Sequence, residues 1–170
     1  MTQGSSIPEW AHPIPCVIPL FGFSLDDRML ALPLEVVERV LFAVEVTSLP
    51  STPEIVAGVF SYHGVIVPLV DIRVRFGLSR KEILPSDRFI LIHTPKRILA
   101  VVASSITGVL KHSGAVTPTG DILIGARYIS GVLPEEDRLI FIYDPDVFLS
   151  LEEEAAMETA LAGEGGEPVQ

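Results

Sequence analysis

Residues 53–73 have the sequence PEIVAGVFSYHGVIVPLVDIR, and this stretch decides the fold. Gly58 and Gly64 bracket a short apolar run, and Gly64 then opens an aliphatic run that is closed by Pro68 and Asp71. Glycine supplies positive φ at turns, and a Val/Ile run bounded by turn residues is typical of a strand buried on both faces. The stretch therefore predicts a tight corner that leads into a core strand, and its chemistry is that of packing rather than catalysis.

Apolar segments recur on both sides of this stretch from Val17 onward, with turn residues between them. They are rich in Val and Ile and show little helical periodicity, which predicts an all-β sandwich or barrel. Ten strands in two halves would suit paired five-stranded barrels. The predicted strands are about 17–25, 29–34, 36–46, 58–62, 65–70, 87–93, 97–104, 106–112, 122–131 and 138–143.

Few helices are predicted. Asp144 and Pro145 form a good helix N-terminus, because Asp caps free N–H groups and Pro at the first helical position sacrifices none. This helix is expected to run to about Leu161. Single helical turns are also expected over residues 53–57 and 71–76.

The two ends of the chain are expected to be poorly ordered. Residues 1–16 are rich in Pro, Gly and Ser, which predicts a flexible N-terminal arm. Residues 156–170 are expected to hold the end of the helix and then an acidic, disordered tail with nothing to bury.

The 170 residues fit one domain or two small subdomains that share a core. The formal net charge is −10, and the 12 Lys and Arg residues are scattered. Because phosphate contacts need a basic surface and anionic lipids attract basic segments, neither nucleic acid binding nor direct membrane insertion is expected. The chain shows neither a signal-peptide pattern nor an apolar run of about 18 residues, so it is expected to be cytoplasmic.

No sequence pattern predicts catalysis, a cofactor or a metal site. The single cysteine, Cys16, rules out an internal disulfide, and nearby His12 lies in the same predicted arm, where nothing would fix a catalytic geometry. The four histidines include no i, i+4 pair, so a zinc site would need ligands from distant segments. Acidic runs at 26–27 and 135–137 lie beside turn residues and are expected at hairpin tips.

Residues 53–73 also resemble the CheW-like adaptor domain of bacterial chemosensory arrays. Members of that family carry a Pro…Ile…Gly run, then a turn that usually has the sequence Asn-x-Arg-Gly, then Val-Ile-Val-Pro-x-Val-Asp-Leu-Arg. Here the corresponding positions are Pro53, Ile55 and Gly58, then SYHG at 61–64, then VIVPLVDIR at 65–73. The resemblance extends over roughly residues 17–155.

The resemblance implies two SH3-like five-stranded β-barrels packed about a pseudo-twofold axis. The barrels would comprise about residues 37–90 and residues 17–36 plus 91–143, with a helix from 145. It also implies that the protein is not an enzyme. Family members bridge a CheA-type histidine kinase, through its CheW-like regulatory domain, and the cytoplasmic tip of a methyl-accepting chemoreceptor. Other CheW-like domains are further candidate partners.

The resemblance places His63 in the receptor groove, together with four aliphatic positions: Leu34, Val37 and Val40 in the first barrel, and Val109 in the second. The sequence allows equally that these side chains are simply core. His63, in the turn before Gly64, stands where the family has arginine, and Arg39 stands where many members have an acidic residue. Histidine has fewer donors than arginine and loses its charge near neutral pH, so altered partner affinity is expected.

The sequence therefore predicts a divergent chemosensory adaptor with an intact framework and altered contact residues. Its output could be flagellar movement, twitching motility or a second messenger. Two alternatives stay open on the sequence alone: a small-ligand-binding or enzymatic β-barrel, and a self-associating structural component of an array.

Overall fold

The computed structural model describes residues 14–15, 19–110, 115–118, 128–147 and 149–165. These residues form β-strands, short 3₁₀ turns at Leu34–Val36, Ile72–Phe76 and Pro145–Val147, and one α-helix, α1, at Leu151–Gly165. The strands are β1 (Ile14–Pro15), β2 (Leu20–Leu25), β3 (Arg28–Pro33), β4 (Val37–Phe42), β5 (Val56–Tyr62), β6 (Val65–Val70), β7 (Arg88–His93), β8 (Ile98–Ala103), β9 (Ser105–Leu110), β10 (Ala115–Pro118), β11 (Ile129–Glu135) and β12 (Arg138–Tyr143).

The strands form two sheets with related connectivity. One sheet has the order β4-β7-β8-β6-β5, and the other has the order β1-β10-β11-β12-β3-β2-β9. In each sheet two hairpins meet through a parallel pair, β6 with β8 and β12 with β3. An outer antiparallel strand, β4 or β9, completes each set. This repeated order confirms the prediction of an all-β fold with two SH3-like subdomains.

The division between the sheets differs from the prediction. β7 and β8 both pair within the five-stranded sheet, so this sheet ends at Ala103 rather than near residue 90. The other sheet has seven strands rather than five, because the short strands β1 and β10 extend it. A buried apolar run indicates a strand, but its partner in the sheet depends on contacts distant in sequence.

The five-stranded sheet closes on itself beside Gly58. Thr47 and Val59 exchange backbone N–H···O bonds of 2.8 Å in both directions, which joins the chain after β4 to edge strand β5. A Cβ atom at Gly58 would lie 2.5 Å from Val46 Cγ1 and 2.6 Å from the Thr47 carbonyl oxygen. Gly58 also has a φ of +153°, so only glycine fits at this closure.

The β5–β6 hairpin turns at His63 and Gly64, whose φ values are +48° and +82°. Tyr62 and Val65 pair directly across this two-residue loop. Positive φ at both central positions is the requirement of a type I′ turn, and histidine is among the residues enriched in that region. The tight corner expected from the sequence is therefore a hairpin turn.

Pro68 lies inside β6 opposite Val59. Val59 directs both its N–H and its C=O to Thr47, so this pair is a non-hydrogen-bonded one, and Pro68 need not donate to β5. The pairs of β6 with its other neighbour, β8, begin at Leu69, so a proline is tolerated at this position of the central strand.

The largest apolar cluster lies between the two sheets, because it combines side chains of β2 and β3 with side chains of β7 and β8. We call it the interface cluster. Its buried members are Phe21, Phe23, Leu25, Leu30, Leu32, Ile55, Val56, Val70, Ile72, Ile90, Ile92, Leu99, Val101, Ala103, Tyr143, Leu149 and Met157. Two smaller clusters each contain buried side chains of a single sheet. One includes Phe60 and Phe89, and the other includes Leu20 and Ile140.

The C-terminal helix begins later than predicted. Asp144 does accept a hydrogen bond from the backbone N–H of Asp146 (2.9 Å), but it caps only the 3₁₀ turn at Pro145–Val147. α1 begins after Ser150, whose Oγ accepts from the Glu153 N–H at 3.1 Å. A Glu153 carboxylate oxygen accepts from the Ser150 N–H at 3.3 Å. This reciprocal arrangement is a capping box, and it sets the start of the helix.

Three smaller expectations are corrected, and others are met. Residues 53–57 form a non-helical turn and the start of β5. Residues 14–15, expected in a flexible arm, pair with β10. The predicted strand at 122–131 corresponds to β11 at Ile129–Glu135. Its first part, in 119–127, lies outside the described residues, as do 1–13, 16–18 and 166–170. The helical turn after Asp71 and the hairpin tips at 26–27 and 136–137 are found as expected.

We expect Gly58→Ala to lower the free energy of unfolding by about 2–4 kcal/mol, because it adds both a steric overlap and backbone strain. Gly64→Ala is the matched control: its φ is also positive, but nothing lies within 4 Å of the added atom. It should cost only about 1–2 kcal/mol. Urea unfolding followed by fluorescence measures both values, and equal losses would contradict the closure argument.

Candidate partner-binding site

Val37 and Val40 lie on one face of β4 because the strand contains a β-bulge. The pairing with β7 shifts between Val37 (opposite Ile92) and Arg39 (opposite Leu91). Without the bulge, residues three apart would point to opposite faces of the sheet. With it, Glu38 and Arg39 are both exposed, while Val37 and Val40 are both half-buried against the interface cluster.

Leu34 continues this apolar surface at the start of β4. It belongs to the 3₁₀ turn at Leu34–Val36, and its backbone N–H donates to the Pro19 carbonyl at 2.9 Å. Like Val37 and Val40, it is half-buried and packs against the interface cluster. The structure thus places three of the five predicted groove residues, Leu34, Val37 and Val40, against the interface cluster. They pack against the core, and each keeps part of its surface exposed.

Val109, the fourth residue, lies on β9, the outer strand of the other sheet. It pairs directly with Phe21, a member of the interface cluster, and is 55% exposed. Directly opposed residues project from the same face, so Val109 lies at the margin of the same cluster. Val109 is thus exposed on an outer strand of the seven-stranded sheet, next to the interface cluster.

His63 lies at the tip of the β5–β6 hairpin rather than on β4 or β9. It is exposed, and its ring contacts that of Tyr62 edge-on at a centroid distance of 4.3 Å. Val65 and Ile66, just after the turn, are 51% and 45% exposed. The hairpin tip is thus a separate, partly apolar surface at one end of the five-stranded sheet.

Phe42 is a surface residue that the sequence analysis missed. It lies two residues after Val40 on the same face of β4 and is 74% exposed. The Arg88 guanidinium carbon lies 4.6 Å from the centroid of its ring. A strand alternation counted from Val40, rather than from the start of the run, would have placed it beside the groove.

A buried arginine joins the two sheets. Arg73 follows β6, and its Nη1 donates to Asp71 Oδ2 at 3.1 Å. Its Nε donates to Asp26 Oδ2 at 2.9 Å and its Nη2 to Asp26 Oδ1 at 3.1 Å. Asp26 belongs to the β2–β3 hairpin tip of the other sheet. The Arg73 and Asp71 side chains are only 4% and 2% exposed, so this bridge is largely shielded from water.

The link between β8 and β9 completes this junction. Ser104 Oγ accepts from the Asp26 N–H at 3.0 Å, and the Ser104 N–H donates to the Ser24 carbonyl at 2.8 Å. Lys81 Nζ lies 3.2 Å from Asp26 Oδ2. The hydrogen bond from Arg73 holds the pKa of Asp26 below its ordinary value, against the opposing effect of burial.

This arrangement of two related sheets about a shared core matches a known domain. Residues 19–153 match the CheW-like domain. The chain belongs to the CheW-like family.

Curated relatives show the same family relationship. The chain is 29% identical over 143 residues to the chemotaxis protein CheW of Rhizobium meliloti, covering 81% of this chain and 91% of that protein. It is 24% identical over 139 residues to that of Klebsiella aerogenes, covering 80% and 84%. It is 31% identical to the protein FrzA of Myxococcus xanthus over 103 residues, covering 61% of each chain.

A solved structure shares the fold. The scaffolding protein TtCheW of Thermoanaerobacter tengcongensis superposes with a TM-score of 0.70 at 22% sequence identity. The match covers 82% of this chain and 96% of that one.

The α1 helix of this CheW-like domain is held by two arginines of the five-stranded subdomain. Arg75 donates from Nη1 to Glu153 Oε1 at 2.9 Å and stacks on Tyr128 at 4.0 Å. Burial would lower the pKa of Arg75, but its hydrogen bonds to Glu153 and Tyr143 outweigh this and raise it. Burial also raises the pKa of Tyr143.

Arg97 makes the second attachment of α1. Its Nη2 and Nε contact Glu154 Oε2 at 2.9 and 3.1 Å. One turn further along, Met157 is fully buried in the interface cluster. The helix therefore packs on the core through an apolar side chain flanked by ion pairs.

Within the described ranges, no group of three His, Cys, Asp or Glu side chains is placed to hold a metal ion. His12, Cys16 and His112 lie outside those ranges. The described helix is neither long nor apolar enough to cross a bilayer.

We expect Arg73→Ala to lower the free energy of unfolding by about 3–5 kcal/mol, because it leaves the buried Asp71 carboxylate without its counter-ion. Arg138→Ala, which removes an exposed arginine from the β11–β12 hairpin, should change it by less than about 0.5 kcal/mol. Chemical denaturation measures both, and a small effect of Arg73→Ala would show that the junction contributes little to stability.

The lowered pKa of Asp26 makes the junction sensitive to acid. Its stabilising effect is fully present above the unfolded carboxyl value of about 3.9 and is lost as the pH falls through the lower folded value. We therefore expect unfolding free energy to fall less steeply in acid for Asp26→Asn than for the native chain. The exposed neighbour provides the control, since Asp27→Asn should leave the native slope unchanged.

Proposed function

We propose that this CheW-like protein is a non-catalytic adaptor of a bacterial chemosensory pathway that couples chemoreceptors to a CheA-type histidine kinase. The observation that carries the proposal is the family match over residues 19–153. Relatives named chemotaxis protein CheW, and a structural relative described as a scaffolding protein, support it. The proposal places the chain in the cytoplasm, beneath the receptors.

The groove is the proposed receptor site. Its floor is aliphatic, with Leu34, Val37 and Val40 half-buried and Val109 exposed. An amphipathic helix binds by laying its apolar face in such a groove, with few polar contacts at the rim. The helical tip of a methyl-accepting chemoreceptor has this chemistry.

The hairpin tip at His63 is proposed as a further contact with partners. The exposed side chains of Val65 and Ile66 beside it offer apolar area at one end of the five-stranded sheet. This end suits a barrel of similar shape, such as the regulatory domain of the kinase or another CheW-like domain.

Two residues support the view that this adaptor is divergent. His63 offers fewer donors than the arginine usual in the family, and Arg39 presents a positive charge where an acidic residue is common. Arg39 is exposed and forms no ion pair with any described residue. The charge of Arg39 can therefore discriminate between partners. A different set of partners would give an output other than flagellar movement.

We expect Val40→Asp to weaken binding of a purified chemoreceptor tip fragment by 10-fold or more, because a carboxylate would be desolvated on the groove floor. The kinase regulatory domain should bind unchanged, since its proposed site lies at the hairpin tip. Leu139→Asp is the control for an added carboxylate, because Leu139 is an exposed aliphatic residue (53%) on the β11–β12 hairpin. Isothermal titration calorimetry decides the question: unchanged receptor-tip binding by Val40→Asp would refute the groove as the receptor site.

A further inference from the structure

We propose that the groove extends beyond Val40 to an aromatic anchor formed by Phe42 and Arg88. We infer that the helical partner presents an apolar side chain to the Phe42 ring and, next to it, a carboxylate to the Arg88 guanidinium. This inference rests on the proposed receptor-binding function of the groove, and it adds both a contact and a chemical requirement on the partner.

The position of Phe42 supports a binding role. It lies on the groove face of β4, is 74% exposed, and is held in a cross-strand pair with Arg88 of β7. Among the described phenylalanines it is the exposed one, since Phe21, Phe23, Phe60 and Phe89 are buried and Phe76 and Phe141 are half-buried. A fixed, water-exposed aromatic ring offers a large apolar area to a partner at little cost in side-chain entropy.

Arg88 is pre-organised but not neutralised. Its Nη1 donates to the carbonyl oxygens of Ser86 (3.0 Å) and Asp87 (2.9 Å), and its guanidinium stacks on Phe42. The nearest carboxylate in sequence is engaged elsewhere, because the buried Asp87 side chain accepts from the Leu84 N–H at 2.8 Å. Arg88 forms no ion pair with any described residue.

The charge of Arg88 defines the partner. A guanidinium with one edge fixed by carbonyl groups keeps N–H donors for a planar carboxylate. The full chain carries a net charge of −10, which disfavours the polyanionic backbone of a nucleic acid as the occupant. A helix with an apolar face and one acidic residue at its edge meets both requirements, because it brings the ring contact and the counter-charge together.

The experiment uses the full chain and, as probe, a soluble helical-hairpin fragment from the cytoplasmic tip of a chemoreceptor encoded in the same genome. The variants are Phe42→Ala and Arg88→Glu, with Leu139→Ala and Arg138→Gln as matched controls. The two controls remove an exposed leucine and an exposed arginine from the β11–β12 hairpin. We expect Kd to rise about 10-fold or more for the first two variants and less than about 2-fold for the controls.

Charge reversal tests the carboxylate directly. Each Asp and Glu of the receptor fragment is changed to Lys in turn and titrated against Arg88→Glu. We expect one substitution to restore at least half of the lost affinity, as complementary charges are re-formed. Added salt should also weaken the binding of the receptor fragment to the native chain more than its binding to the Arg88→Gln variant.

The outcomes separate this inference from the proposed function. If Val40→Asp abolishes binding while Phe42→Ala and Arg88→Glu leave it unchanged, the receptor groove stands and the anchor is refuted. If none of the three affects binding, the groove itself is refuted. If Arg88→Glu weakens binding but no reversal restores it, the assignment of a partner carboxylate is overturned.

Discussion

The Arg73 guanidinium bridges two carboxylates from different sheets, and the relative placement of the sheets depends on this contact. Asp71 and Arg73 follow β6 of the five-stranded sheet, whereas Asp26 caps a hairpin of the other. A charge buried this deeply is tolerated only when its partners hold their positions, since removing Arg73 would leave the buried Asp71 carboxylate without its counter-ion. The bridge therefore favours one arrangement of the two β subdomains, while the apolar interface cluster around Phe23 and Ile90 supplies most of the buried area.

The proposed groove is a consequence of that arrangement. Its floor consists of side chains that each sheet leaves half-covered where the outer strands β4 and β9 reach the edge of the interface cluster. A rotation of one sheet against the other would change how much of each of these side chains stays exposed. The bulge at Glu38 adds a second condition, because without it Val40 and Phe42 would face the barrel interior.

The sequence predicts the all-β class and most of the strands, but not how distant segments meet. The corner at His63 and Gly64, the strand through Pro68 and the 3₁₀ turn after Asp71 follow from local chemistry that a short window contains. Asp26, one of the two carboxylate partners of Arg73, lies 47 positions away, and local spacing gives no sign of it. The exposure of Phe42 depends on a bulge that shifts the alternation by one residue, so a count from the start of β4 places Phe42 on the wrong face. The helix start was misplaced because the Asp144–Pro145 signal outweighed the capping box at Ser150 and Glu153.

The paired strands of the two sheets differ in how far apart they lie in the sequence, and this affects the order in which the sheets can form during synthesis. The five-stranded sheet is built from one continuous segment, Val37 to Ala103, so all its pairing partners are available once that segment has emerged. The other sheet cannot be completed then, because β3 must wait for β12, and Met29 meets Ile140 across nearly the whole length of the chain. During that interval the β2–β3 hairpin presents an unpaired edge, which is the kind of surface that invites association with other nascent chains. Before β12 is available, this hairpin can already attach to the five-stranded subdomain through Arg73 and Ser104. That attachment would protect the hairpin from such association.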